Sequence, residues 1–81
     1  MNEISFSDYL LTCVVEKREF PNLRMGQVYF EMFAEIDPDH AAFLSTLPTI
    51  DCYKNDNNIG NFLYEVCVTW KTRVSLGHHT K

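Results

Sequence analysis

Asp51, Asp56, Asn57, Asn58 and Asn61 crowd hard oxygen donors into one short stretch, the donor type that a calcium ion requires. The spacing does not fit a calcium loop. Counted from Asp51, the third position is Tyr53, the sixth is Asp56 where a glycine is needed, and the twelfth is Phe62 where a glutamate would close the site. A turn followed by a helix cap accounts for the same residues. Zinc would need four thiolate or imidazole ligands at closing distance. Cys13, Cys52, Cys67 and His40 are scattered without a Cys-x-x-Cys pair, and His78-His79 offers weak binding only.

Cys52 with His40 could make a nucleophile and its base if an exposed thiol lay beside the imidazole. Nothing in the spacing brings the two together. A partly buried loop cysteine and a surface histidine on the first turn of a helix form the simpler expectation. Glu31 and Glu35 lie one helical turn apart, which usually marks a solvated face rather than an acid–base pair. No Gly-rich phosphate loop, serine-hydrolase motif or nucleotide-binding motif is present. The reading is therefore of a protein that is not an enzyme, with no catalytic residue, no cofactor and no metal.

A contact role fits the residues better. Arg24, Gln27 and Glu31 make a polar strip along one helix, and Tyr53 and Asp56 stand in the acidic loop. These five are the candidate partner-binding residues. The competing reading is architectural: Arg24 could tie the start of its helix to a carboxylate of the Asp51–Asp56 loop. The chain also carries six phenylalanines, four tyrosines and one tryptophan, enough rings to fill a small core and leave some at a contact surface.

The elements that must position these groups read as helices. Ser5 followed by Asp8 is a shortened capping signal, and Phe6, Tyr9, Leu10, Cys13 and Val14 then share one helical face until Pro21 ends the run. A second helix is predicted from Asn22 to Ile36, with Leu23, Tyr29 or Phe30, Phe33 and Ile36 inward. Gly26 inside it costs about 1 kcal/mol relative to alanine, which is tolerable where another backbone crosses closely. Gln27 beside it is expected to hydrogen-bond across that crossing.

Asp37-Pro38-Asp39 opens a short third helix to about Ser45, with Ala41 and Leu44 inward. Residues 49–58 read as an irregular stretch, and Asn57 or Asn58 caps a last helix. Its stripe is Ile59, Phe62, Leu63, Val66, Cys67, Trp70 and Val74, with Gly77 as the stop and residues 77–81 as a frayed tail. The fold class is all-α: a compact bundle of about four short helices in one domain over residues 1–81.

At 81 residues there is no room for a second core. The net charge of −4 is spread along the chain, and Lys17-Arg18 is the longest basic run, so no footprint for nucleic acid is visible. The acidic excess is too dispersed to imitate a phosphate backbone. No apolar run reaches the length of a membrane span. Three cysteines, an odd number, with no basic-then-apolar leader suggest a reducing cytoplasm and thiols used as small apolar groups.

Gly26-Gln27-Val28-Tyr29-Phe30, Asp37-Pro38-Asp39-His40-Ala41 and Asp51-Cys52-Tyr53 with Asp56 occur in an order that resembles a family of small, mostly uncharacterised bacteriophage proteins. Members carry a Gly-Gln-x-x-Phe helix, a Pro-Asp-Leu-Ala helix start and an Asp-Pro-Phe-Tyr-x-Asp turn before the final helix. The likeness runs from about Tyr9 to Trp70, and this chain departs from it at Cys52 and Tyr53. The family has no settled activity. It implies a small protein made in the host cytoplasm that binds and modulates or inhibits a host protein, such as a component of antiviral defence. The family pattern places arginine, glutamine and the acidic turn together, which favours the architectural reading of those residues. The alternative function is a structural or assembly protein, a homodimer joined through the last helix where Trp70 and Val74 extend the apolar stripe.

Overall fold

The computed structural model describes the backbone of residues 4–79 and the side chains of residues 4–70. Helix α1 spans Phe6–Glu19, α2 spans Met25–Ile36, α3 spans Pro38–Leu44 and α4 spans Ile59–His79, with a 3-10 turn at Asp56–Asn58 leading into α4. The molecule is an all-α bundle, and the described residues contain no strand. Its Cα radius of gyration, 12.4 Å, is close to the about 12 Å expected of a folded chain this long.

Local chemistry explains the boundaries. Ser5 Oγ accepts the Asp8 N–H at 3.0 Å and starts α1. The Phe20 N–H closes α1 onto the Glu16 carbonyl, just before Pro21. Lys17 Nζ then donates to the carbonyls of Pro21 and Leu23 at 2.8 and 2.7 Å, which fixes the turn between α1 and α2. Asp37 caps α3 by accepting the His40 N–H at 3.1 Å, with Pro38 preset at the first helical position.

Two boundaries differ from the sequence reading. Helix α2 begins at Met25 rather than Asn22, because residues 20–23 form a turn closed by the Leu23 N–H on the Phe20 carbonyl and Arg24 is extended. Helix α4 continues through Gly77 to His79, so glycine there does not stop it. A single helical glycine costs only about 1 kcal/mol. The remainder of the expected tail, residues 80–81, lies outside the described residues.

The core gathers Tyr9 and Cys13 from α1, Val28 and Phe33 from α2, Ala41 and Leu44 from α3, Cys52 from the loop, and Phe62, Val66 and Trp70 from α4. Each large side chain so buried contributes about 1.5–3 kcal/mol. Rings hold the layers together: Trp70 lies 5.5 Å from Tyr9, 5.6 Å from Phe6 and 6.2 Å from Phe33, centroid to centroid. The polar ends of the two amphipathic rings are satisfied. Trp70 Nε1 donates to the Ile4 carbonyl at 3.0 Å, and the Tyr9 hydroxyl donates to the Tyr29 carbonyl at 2.6 Å.

Several side chains sit elsewhere than their spacing suggested. Val28 is fully buried although the expected stripe omitted it, while Val14, Ile36 and Cys67 are exposed. The bundle is small, so each helix presents a narrower face to it than a full apolar stripe. His40 is half-buried against Phe33 and Phe43, at 5.6 and 6.3 Å, rather than on the surface. Trp70 is only 8% exposed, covered by α1 and α2, so it does not extend an unpartnered stripe. Val74, its expected companion, lies outside the described side chains.

Candidate functional site

The start of α2 and the 51–58 loop meet at Gly26. A Cβ there would stand 2.1 Å from the Cys52 carbonyl oxygen and 2.6 Å from Asp56 Oδ1, so only glycine allows this crossing. The approach is used chemically. Cys52 Sγ donates to the Gly26 carbonyl at 3.2 Å, and Asp56 Oδ1 accepts the Gly26 N–H at 3.2 Å. The Asp56 carboxylate therefore caps α2 from 30 residues away in sequence. An acid at a helix N-terminus also meets the positive end of the helix dipole.

Arg24 completes the junction. Its Nη1 pairs with Asp56 Oδ1 at 2.6 Å, and its Nη2 donates to the Tyr53 carbonyl. The Arg24 and Asp56 side chains are 43% and 44% exposed, so solvent screens the pair, and the geometry counts for more than the charge. Gln27 turns back rather than across: its Oε1 accepts the Arg24 N–H at 3.0 Å, one of the open amides at the helix start. This corrects the expectation of a bond across the crossing.

The loop is braced from within. Asp51 Oδ1 accepts the Tyr53 N–H at 3.0 Å, and Asn55 Oδ1 accepts the Asn57 N–H at 2.9 Å. Asn58 Nδ2 donates to the carbonyls of Pro48 and Asp51, and Asn61 Nδ2 donates to that of Thr49. Asn55 caps the 3-10 turn that precedes α4, and Asn58 stands immediately before the first residue of α4.

Of the five candidate contact residues, Arg24, Gln27, Tyr53 and Asp56 are brought together here, and Glu31 is not. Glu31 is exposed farther along α2 and takes no part in the junction's hydrogen bonds. Cys52 and Gly26 belong to the junction although neither was a candidate. A loop cysteine is expected to be partly buried, but its spacing carries no pointer to Gly26, whereas glycine inside a helix does signal a crossing.

Chemistry at Cys52 is closed off. The thiol is fully buried, and burial pushes its pKa up to about 12, so no thiolate forms near neutral pH. Burial likewise raises Cys13 to about 11. Among the described residues, no three His, Cys, Asp or Glu side chains are grouped to hold a metal ion. A surface cleft of about 320 Å³ is lined by Ser45, Thr46, Pro48, Asp51, Lys54, Asn55 and Asn58, and another of about 370 Å³ by Ile4, Tyr9, Thr12, Met32, Glu35 and Ile36. Neither lining includes a cysteine or a histidine. Among the described residues no helix is long and apolar enough to cross a membrane.

Tyr53 leaves part of its ring exposed at the junction, and further exposed apolar groups lie elsewhere. Tyr64 and Val68, 69% and 57% exposed, stand one turn apart on α4 with the exposed Cys67 between them. Comparison with protein-family models, curated proteins and solved structures found no match.

Proposed function

We propose that this chain is a small, phage-type, non-enzymatic protein that binds and modulates or inhibits a host protein, such as an antiviral defence component in the host cytoplasm. The observation that carries the reading is the outer face of α4. Tyr64, Cys67 and Val68 put an aromatic ring, a thiol and a branched side chain on one exposed surface. A tyrosine flanked by apolar groups is a common anchor in protein interfaces, because it buries much area at little rotamer cost. Arg24 and Asp56 support that face indirectly by fixing the loop from which α4 starts. Tyr53, whose ring meets Phe30 edge-on at 5.7 Å, is the junction residue with an aromatic surface left to offer a partner.

The test is affinity capture from bacterial lysate with the tagged wild-type chain and with a Tyr64→Ser/Val68→Ser variant. The expected result is one stoichiometric host protein on the wild type and its loss from the variant, with unchanged helical circular dichroism. Recovery of the bait alone would remove the support for this reading.

A further inference from the structure

Helix α1 carries a second apolar surface, on the side opposite Tyr9 and Cys13. Leu11, Val14 and Val15 are 63%, 46% and 49% exposed there. Asp8, Leu11, Val15 and Arg18 follow at intervals of three, four and three residues, the spacing of a seam between two paired helices. The seam is acidic at its start, apolar in the middle and basic at its end. Among the described residues the ion pair within the chain joins Arg24 and Asp56, and neither Asp8 nor Arg18 takes part in one.

We propose that α1 docks antiparallel against α1 of a second copy of this chain. In that register Leu11 packs on Val15 of the second copy, Val14 flanks the seam beside Val14 of the second copy, and Asp8 meets Arg18 at both ends of the seam. The charges choose the orientation. A parallel pair would set Asp8 against Asp8 and Arg18 against Arg18, and an antiparallel pair slipped by one turn would set Leu11 against Arg18 or Val15 against Asp8. Like charges in contact reject the wrong arrangement, and opposite charges fix the right one.

Size sets the strength. Two helices of 14 residues are each about 21 Å long, so the contact falls at the low end of specific interfaces, roughly 1,000 Å² in total. Association is then weak, with a dissociation constant on the order of 10–100 μM. The seam is separate from the α4 face, so dimer formation and host-protein capture stand or fall independently.

The experiment is sedimentation equilibrium of the full chain with Asp8→Arg and Arg18→Asp variants, each first checked for wild-type circular dichroism. The wild type is expected to show a concentration-dependent monomer–dimer equilibrium. Each single variant places like charges at both ends of the seam and should dimerise roughly tenfold more weakly or worse. An equimolar mixture of the two should recover association as a heterodimer, because the introduced charges complement each other, and the Asp8→Arg/Arg18→Asp double variant should recover the homodimer. Leu11→Gln should abolish pairing in every background. A wild type that stays monomeric at all concentrations would overturn the proposal. So would single variants that dimerise like the wild type, or a mixture that shows no recovery.

Discussion

Gly26 and Gly60 both sit in helices, but their surroundings predict opposite outcomes for the same substitution. A Cβ at Gly26 would run into the Cys52 backbone, whereas one at Gly60 meets nothing within 4 Å. Gly26→Ala should therefore destabilise the fold by about 2 kcal/mol or more, because the cost of overpacking exceeds the gain in helix propensity. Gly60→Ala should stabilise it by about 0.5–1 kcal/mol. Urea denaturation of the two variants beside the wild type checks both signs. The thiols supply a second residue-level prediction. Cys13 and Cys52 hold their protons more tightly folded than unfolded, at about 11 and 12 against an ordinary 9.0. The unfolded chain loses these protons first, so stability is full below about pH 9 and falls as pH rises towards 11–12, by at most about 1.4 kcal/mol per pH unit for each thiol. Unfolding midpoints measured near neutrality and at about pH 10 should show that fall, and a thiol-specific reagent at neutral pH should reach Cys67 quickly and the buried pair only on unfolding.

At the scale of elements, the start of α2 depends on a distant loop. Asp56→Ala removes the cap on Gly26 and the partner of Arg24 together, and should cost about 1–2 kcal/mol. Arg24→Ala should cost less, about 0.5–1 kcal/mol, since its ion pair is half exposed. A double-mutant cycle should find the two coupled, and strict additivity would show that the contact does not act as a unit. This dependence explains what was legible in the sequence. Helices α1 and α3 could be placed because Ser5, Asp37 and Pro38 signal locally. Helix α2 was misplaced by three residues because residues 20–23 turn and Asp56 caps the helix from afar, and the local signal, Gln27 reaching back to the Arg24 N–H, reads in sequence as a contact across the crossing. The glycine crossing at Gly26 was readable, but the identity of what crosses, Cys52, was not. The spacing places Trp70 on the apolar stripe but does not show that its neighbours cover it: periodicity assigns a face to a helix but does not say how far its neighbours reach.

For the whole molecule, Arg24, Tyr53 and Asp56 join α2 to the 51–58 loop while Glu31 stays outside that junction, and the outer faces of α1 and α4 each carry exposed apolar residues. Amphipathic spacing singled out neither face, because Leu11 and Val15 or Tyr64 and Val68 lie off the apolar stripes it traces. The central claim is that this domain acts by binding a host protein through α4. The most direct measurement is quantitative capture from host lysate by the tagged wild type, by Tyr64→Ser/Val68→Ser and by Asp8→Arg, with equal bait on each. The account predicts one host protein at stoichiometric yield on the wild type and on Asp8→Arg, and at least a tenfold loss on the α4 variant. Equal yield on the α4 variant, or no host protein on any bait, would contradict it.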